Sequence, residues 1–232
     1  MKSESVAQKS QFPEVEKEII QTTREINRYL KQQIKTNKRN SATIHINKQD
    51  SIAVGLDQKV TITAEGNAGD FFGALNNGAT IVLNGDSDRF AANVMSRGEM
   101  IIHGNCGEGT GMYMCGGHVI VYGNAGDHLG QISKGGTIIV TGDAGDLVGL
   151  YLTGGDIVVL NNIGEKTGEW MIKGRIFVGG SIASLGRNAE TRELNNDDRK
   201  FLETLYREEI EFLIDGMKKI VPTQLRPFYK KR

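Results

Sequence analysis

The sequence predicts an all-β solenoid: a β-helix in which one chain coils about seven times with a 19-residue repeat, flanked at each end by an amphipathic helix. Two observations carry this prediction. Of the 30 glycines, 27 lie between Gly66 and Gly180, a stretch that contains no proline. From Gly66 onward a glycine-centred pattern also returns every 19 residues without insertion or deletion, at Gly66, Gly85, Gly104, Gly123, Gly142, Asn161 and Gly180. A fixed period of this length is typical of repeat architectures.

Each repeat contains three consecutive apolar residues bounded by glycine, a pattern typical of a short strand rather than of a helix. The triplets are Ile81-Val82-Leu83, Met100-Ile101-Ile102, Val119-Ile120-Val121, Ile138-Ile139-Val140, Ile157-Val158-Val159 and Ile176-Phe177-Val178. Nineteen residues hold one coil of short strands and tight corners, but not a strand with a full helix. We therefore expect the triplets of successive coils to pair at the strand spacing of about 4.8 Å.

The glycines are expected to form the corners of the coil, because glycine adopts left-handed backbone angles without steric cost. Asn or Asp follows the first glycine of each repeat, which suits the same interpretation because these side chains tolerate such angles and form local hydrogen bonds. The residues at that place are Asn67, Asp86, Asn105, Asn124, Asp143 and Asn162.

The chain before Gly66 is predicted to continue the coil in degraded form as a capping turn. Ile62 and Ala64 stand one period before Ile81 and Leu83, and the segments "ATIHI" and "SIAV" alternate as strands do. The predicted boundaries are a helical segment over 1–40, the β-helix over 41–186 and a second helical segment over 187–232.

The two helical segments are predicted from apolar residues at helical spacing. In the first, between Glu14 and Lys35, these are Val15, Ile19, Ile26, Leu30 and Ile34. In the second, between Asp197 and Lys219, Leu202, Leu205, Leu213, Met217 and Ile220 recur in the same way, and Asn195 or Asn196 is a suitable N-cap.

The composition excludes several classes of partner. The 28 basic and 28 acidic residues cancel, so net charge provides no attraction to nucleic acid or to a membrane surface. No apolar run approaches the roughly 20 residues of a membrane span, and the first residues lack the apolar centre of a signal peptide. We expect a cytoplasmic protein with reduced thiols at Cys106 and Cys115.

Two motifs suggest a cofactor site, and neither is convincing in a solenoid. His103, Cys106, Cys115 and His118 have zinc-ligand chemistry, but half a coil separates the two pairs, and Cys106 occupies the place that alanine holds in other repeats. The segment "GEGTG" from Gly107 lacks the strand and helix that a dinucleotide site requires. We therefore expect no metal site, no bound cofactor and no catalytic residue in this chain.

A row of mostly acidic residues occupies the fifth place of successive coils, and it is the one feature that suggests catalysis. Its members are Asp70, Arg89, Glu108, Asp127, Asp146 and Glu165. Four consecutive carboxylates at strand spacing must be solvated, bound to a cation or faced by a basic partner. A β-helical hydrolase or lyase could use them, but nothing distinguishes one carboxylate pair from the rest.

The middle residues of the triplets form a candidate interface. Alternate strand residues point to opposite faces, so if the outer two face the core the middle one faces outward. The resulting apolar stripe is Val82, Ile101, Ile120, Ile139, Val158 and Phe177. We expect the C-terminal helix to cover part of this stripe, and another subunit or a second copy to cover the remainder.

The repeat resembles the GXGXG domain that closes the large subunit of glutamate synthase, in the form found as a separate polypeptide. The resemblance is carried by "GNAGDFFGALNNGATIVLNGD", "GNAGDHLGQISKGGTIIVTGDAGDLVGLYLTGGDIVVL" and "GEWMIKGRIFVGGSIASLG", and it covers about Gly66 to Leu205. Its repeat glycines are Gly66, Gly69, Gly73, Gly104, Gly107, Gly111, Gly123, Gly126, Gly130, Gly142, Gly145 and Gly149. The second coil departs from the pattern at Asp88 and Ala92, and the sixth at Asn161.

The resemblance implies a right-handed β-helix that makes no bond itself and holds two catalytic partners in mutual position, so that ammonia passes between them. The partners it implies are a glutamine amidotransferase subunit and a synthase subunit carrying FMN and an iron–sulfur cluster. A similar repeat forms one of the subunits of formylmethanofuran dehydrogenases, and this alternative stays open. The charged segment after "ASLG" favours the glutamate synthase type, and a homo-oligomer is left open.

Overall fold

The apolar triplets form a column of parallel strands, one for each coil, in a computed structural model that describes residues 22–36, 40–205 and 214–225. Neighbouring strands pair in chain order, and from the second strand onward each triplet residue lies opposite the residue 19 places later, as Ile81 lies opposite Met100. These strands are β1 (Ser41–His45), β2 (Thr61–Glu65), β3 (Asn77–Asn84), β4 (Arg97–Ile102), β5 (His118–Val121), β6 (Lys134–Val140), β7 (Gly154–Val159) and β8 (Arg175–Val178). The chain is a β-solenoid of about seven turns, as predicted.

A second column of single-residue bridges joins the coils at another place on their perimeter. It runs through Ala68, Ser87, Cys106, Ala125, Ala144, Ile163 and Ile182, again at 19-residue intervals. Two columns of backbone pairing fix both the height and the rotation of each coil on the next. Cys106 is buried in this column among alanines, as its place in the repeat predicts.

The solenoid interior is filled by the outer two residues of each triplet and by apolar residues from the rest of the coil. Ile81 and Leu83 are fully buried there, and Met95 and Met114 contribute from the far side of their coils. The alternation along the strand thus places side chains as predicted, since five of the six middle residues, all but Val82, belong to or pack against a separate cluster outside the coil.

The first coil is capped by helix α1 (Thr23–Thr36), whose Ile26 and Leu30 are buried against it. Asn27 ties the helix to the coil, because its side-chain amide donates to Ser51 O at 2.8 Å and its Oδ1 accepts from Ala53 N at 3.0 Å. The segment "SIAV" is a turn rather than the predicted strand, with left-handed φ angles at Ser51 and Ala53. The predicted helical residues Val15 and Ile19 lie outside the described residues.

The last coil is capped by three short elements: β9 (Ala189–Arg192), α2 (Asn196–Glu203) and β10 (Lys218–Pro222). Strand β10 pairs antiparallel with β8 and with β9, so it covers the end of the parallel column. Asn195 caps α2 as predicted, in a capping box with Asp198.

The prediction of a helix up to Lys219 was wrong, because Gly216 at φ +94° ends any helix before it and the open edge of β8 recruits Lys218–Pro222 as a strand. The segment after residue 186 is therefore partly β and completes the sheet. Leu213 lies outside the described residues.

Glycine is required in the repeat for two different structural reasons, and only one of them was predicted. Gly130 and Gly149 have left-handed angles, with φ of +64° and +66°, and their place in the coil faces inward, where an added Cβ would lie within 2.7 Å of an isoleucine Cδ1. Gly126 and Gly145 have ordinary angles, so the predicted need for positive φ at these places was wrong. They are glycine because a Cβ would lie 2.8 Å from a backbone nitrogen of the preceding coil.

Candidate functional site

The candidate zinc ligands do not come together. Cys106 is buried and Cys115 is exposed, while His103 stacks on Tyr122 with the ring centroids 5.0 Å apart. Within residues 22–36, 40–205 and 214–225, no group of three or more His, Cys, Asp or Glu residues is placed to hold a metal ion. Burial raises the pKa of the Cys106 thiol to about 11, although hydrogen bonds with Thr110 and Gly126 act in the opposite direction.

The segment from Gly107 to Gly111 follows the same turn as the corresponding segments of other coils. Gly109 N donates to Asp127 O in the next coil at 2.9 Å, and Gly111 N donates to Ala91 O in the preceding coil at 2.8 Å. The N–H groups of Gly109 and Gly111 are therefore already used in hydrogen bonds between coils.

The acidic row is also partly structural. Asp127 Oδ1 accepts from Asp146 N at 2.8 Å, and Asp146 Oδ1 accepts from Glu165 N at 2.7 Å. Asp70 accepts from the backbone and side chain of Arg89, whose guanidinium is the main reason that the pKa of Asp70 is lowered. Each of these carboxylates thus satisfies a backbone donor of the next coil.

Glu108 takes a different partner. Its Oε1 lies 3.2 Å from Nδ1 of the half-buried His128, although the ring is not aligned for a hydrogen bond.

The Asn and Asp residues after the first glycine form a second ladder of the same kind. Asn67 Oδ1 accepts from Asp86 N, and every later member accepts from the next coil in turn, over distances of 2.7–3.0 Å. We expected local hydrogen bonds from these residues, and that detail was wrong. The bonds run between coils because the glycines bring successive corners into close approach.

The outward stripe of triplet residues is largely covered by the C-terminal segment of the chain. Four of its members, Ile120, Ile139, Val158 and Phe177, are buried in a cluster with Leu202, Leu205 and Met217. Helix α2, through Leu202, thus packs on this part of the stripe. Val82 and Ile101, toward the first coil, stay half-buried, and it stays a prediction that another protein covers them.

A partly buried ionic network fastens this C-terminal segment to the solenoid. Arg175 Nη1 donates to Asp198 Oδ1 at 3.0 Å, its Nε donates to Asp156 Oδ1 at 2.6 Å, and Lys219 Nζ donates to Asp198 Oδ2. The guanidinium of Arg175 also lies over the ring of Phe201 at 4.5 Å. Burial opposes ionisation of Asp198, but hydrogen bonds from Lys219, Asn195 and Arg175 outweigh it and hold its pKa below the ordinary value.

A second apolar surface, which the sequence analysis missed, remains partly exposed on the solenoid. It consists of the tenth residue of each coil, and we call it the outer ridge: Leu75, Val94, Tyr113, Ile132, Tyr151 and Trp170. The exposed fraction of Leu75, Val94, Tyr113 and Tyr151 is between 37% and 51%, and Ile132 and Trp170 are half-buried. Each backbone N–H along the ridge donates to the next coil, over 2.7–2.9 Å.

The backbone of the outer ridge is strained. All six residues have left-handed φ angles, between +53° and +59°, which cost a non-glycine residue about 1–2 kcal/mol each. The cost is highest for β-branched residues such as Val94 and Ile132. Two places earlier in the coil the same left-handed conformation is occupied by glycine in five of six coils, at Gly73, Gly111, Gly130, Gly149 and Gly168. At the ridge the chain keeps large apolar side chains where glycine would remove the strain.

The sequence carries a weak signal for the ridge. A large apolar residue stands nine places after the start of every repeat, but it is followed immediately by a residue that faces the core, such as Met95 after Val94. Consecutive apolar residues in a turn do not reveal which one is exposed. The left-handed conformation, which turns the ridge residue outward, is visible only in the structure.

In the part of the chain that the structure describes, neither helix has the length and the apolar composition needed to cross a bilayer.

Comparison with known proteins gives one result for this architecture. A search of curated proteins finds no match. The family model of the GXGXG motif matches residues 9–219, which includes every coil, both described helices and part of β10. This match agrees with the resemblance to the glutamate synthase-type domain, and it does not show the relation to formylmethanofuran dehydrogenase. Since the matched region spans most of the sequence, the chain belongs to the GXGXG motif family.

Proposed function

We propose that this chain is a non-catalytic structural subunit of a glutamate synthase-type complex. In this role it holds a glutamine amidotransferase subunit and an FMN/iron–sulfur synthase subunit in mutual position, so that ammonia released by the first reaches the second. Family membership supports this proposal. The observation that carries it is the outer ridge, a row of partly exposed apolar side chains that follows the coils of the solenoid.

The use of the polar side chains supports a scaffold rather than an independent hydrolase or lyase. Asp127 and Asp146, two of the carboxylates that such an enzyme could use, each use a carboxylate oxygen to accept from a backbone N–H of the next coil. The Asn and Asp residues of the corner ladder do the same. These side chains stabilise the rod, and a rod with fixed coil spacing holds its ends and faces at constant distances.

The proposed cofactors belong to the partners. An iron–sulfur cluster takes four cysteine thiolates, and this chain has two cysteines, of which Cys106 is buried and Cys115 is exposed. These residues do not fit a cluster, so FMN and iron–sulfur are proposed for the synthase subunit alone. The cytoplasmic location expected from the sequence is part of the same proposal.

Reconstitution tests the proposal. The purified chain is mixed with the glutamine amidotransferase subunit and the synthase subunit of the same cells, and the mass of the assembly is measured by light scattering after gel filtration. We expect one assembly that contains all three chains, and no activity of the isolated chain on glutamine or 2-oxoglutarate. Turnover by the isolated chain would contradict a structural role. Co-purification with a molybdenum or tungsten dehydrogenase would instead assign it to the formylmethanofuran type.

A further inference from the structure

The first strand of the solenoid has an open edge. Among the described strands, β1 pairs with β2 alone and stands at the end of the sheet. Asn40 O accepts from Thr61 N at 2.8 Å and Ile46 N donates to Glu65 O at 2.9 Å, so the even-numbered residues direct their backbone groups to β2. In a parallel ladder the alternate residues direct theirs to the opposite side. The residues with backbone groups along the open edge are Ser41, Thr43 and His45.

The opposite end of the same sheet is closed by the chain itself. Strand β10 pairs antiparallel with β8 and takes up the backbone groups of that edge. No described strand does the same for β1. The sequence of β1, Ser-Ala-Thr-Ile-His, also contains neither the lysine nor the proline by which proteins protect an exposed edge. The open edge is therefore chemically suited to pair with another extended backbone.

Helix α1 limits what can reach this edge. It lies against β1 and covers the end of the first coil, where Ile26 and Leu30 are buried. A helix is about 10–12 Å in diameter, whereas paired strands lie about 4.8 Å apart. A second copy that paired through its own β1 would bring its own α1 into the space that α1 already fills. A single extended segment fits beside α1, and a second solenoid does not.

A pocket lies beside the start of β1, between α1 and the first coil. Its volume is about 180 Å³. Val60, which lines it, directly precedes Thr61, and Thr61 N forms the first bond between β2 and β1. A cavity of roughly 150 Å³ holds a benzene molecule, so this pocket has room for a large apolar side chain. The apolar side chains that line it are Ile34, Val54, Leu56 and Val60.

The charged residues of the pocket are predominantly basic. Lys31 and Lys35 lie one helical turn apart on α1, and Asp57 lies on the first coil. All three are exposed. Within residues 22–36, 40–205 and 214–225, none of them forms an ion pair. The two lysines therefore favour an acidic residue in whatever enters the pocket.

We propose that an extended segment of a partner protein adds to β1 as an antiparallel strand and places a large apolar side chain, followed by an acidic residue, in the pocket beside α1. Antiparallel pairing is the more stable mode for each residue, and it is the mode by which β10 closes the other end. The C-terminal end of the added segment then lies at the start of β1, where the pocket is. This surface is distinct from the outer ridge, and its test is independent of the proposed function.

A synthetic peptide tests the docking surface on the full chain. The probe is fluorescein-labelled Thr-Val-Thr-Val-Thr-Phe-Glu, in which valines lie beside Ala42 and Ile44 and the phenylalanine enters the pocket. We expect saturable one-to-one binding by fluorescence anisotropy. The control peptide has proline in place of the central threonine, so it lacks the N–H that donates to Thr43 O, and its Kd should be at least tenfold higher. No binding of the probe, or equal binding of both peptides, would overturn the proposal.

Substitution of Thr43 tests the edge from the side of this chain. Thr43→Pro removes an N–H that faces away from β2, a position at which an edge strand tolerates proline. Thr43→Ala is the matched control, because it shortens the same side chain and keeps the N–H. We expect the proline variant to bind the probe at least tenfold more weakly and the alanine variant to bind like the wild type. Equal binding by the two folded variants would show that the peptide does not pair with β1.

Amide hydrogen exchange gives a test that needs no variant. In the isolated chain, the N–H groups of Ala42 and Ile44 should exchange slowly and those of Thr43 and His45 quickly, and the probe should slow the latter two. Protection of Thr43 and His45 before the peptide is added would overturn the proposal, because the edge would already be occupied. A doubled mass in light scattering would then identify a second copy as the occupant, and an unchanged mass would identify another part of the same chain.

Discussion

Substitution of Gly126 by alanine separates the two mechanisms by which glycine shapes the coil. Gly126 has an ordinary backbone angle, and its N–H donates to Cys106 O in the preceding coil at 2.9 Å. An added Cβ would lie 2.8 Å from Glu108 N and 2.9 Å from Gly107 C, both backbone atoms that cannot rotate away. Alanine can be accommodated only if the two coils separate locally by about half an ångström, which overpacks a tight site.

The expected cost follows from this geometry. Overpacking of a well-packed site costs about 1–3 kcal/mol. The hydrogen bond to Cys106 O contributes about 1 kcal/mol and is stretched by the same movement. We therefore expect Gly126→Ala to lower the free energy of unfolding by about 2–4 kcal/mol. For a chain of this length that corresponds to a fall in Tm of roughly 4–16 °C.

The matched control is Gly55→Ala. Gly55 has a left-handed φ of +69°, and no atom lies within 4 Å of its added Cβ, so alanine there incurs only backbone strain of about 1 kcal/mol. Thermal unfolding followed by circular dichroism compares the two variants. If Gly55→Ala destabilised the protein as much as Gly126→Ala, the contact between coils would not be the reason for glycine at residue 126.

Four further predictions concern the C-terminal segment and the thiols. Asp198→Ala should cost about 3–5 kcal/mol in urea unfolding at pH 7, because it removes the carboxylate that pairs with the buried Lys219, while Arg175 keeps its bond to Asp156. The pKa of Asp198 is lowered in the folded state, so the contribution of Asp198 to the free energy of unfolding is complete above the ordinary aspartate pKa and is lost on acidification. Equal wild-type stability at pH 6 and pH 3 would contradict this. Ile120→Asp should expose the C-terminal segment to protease while the solenoid stays folded. Val82→Asp, on the half-buried part of the stripe, should not expose it. Equal cleavage of both variants would argue against the contact between the C-terminal segment and the stripe. Ellman's reagent should label Cys115 in the native protein and Cys106 only after unfolding, and labelling of two native thiols would show that Cys106 is accessible.

Much of the fold could be predicted because each element is encoded locally and repeated. The apolar triplet predicts the strand, and the 19-residue period predicts its register with the strand of the next coil. The alternation of side chains along the strand predicts which of them face the core. Ile138 accordingly lies in the core and Ile139 under the C-terminal segment. Ile62 pairs with Ile81 one period later, so the degraded first coils were also recognisable.

The features that could not be predicted depend on contacts between coils. Valine and isoleucine disfavour left-handed angles, so residue type gives no reason to expect Val94 and Ile132 there; hydrogen bonds to the next coil hold them. Gly126 looks like a left-handed corner, but the approach of the preceding coil is what excludes a side chain. The apolar residues Met217 and Ile220 suit a helix, yet the edge of β8 makes Lys218–Pro222 a strand.

Glutamine-dependent glutamate formation tests the central claim most directly. The two proposed partner subunits are assayed with and without this chain for three activities: glutamine hydrolysis, glutamate formation from free ammonia, and glutamate formation from glutamine. If the chain positions its partners, omitting it should leave the first two activities in place and abolish most of the third, because ammonia then escapes to solvent. Glutamate formation from glutamine at the full rate in the absence of this chain would contradict the structural role.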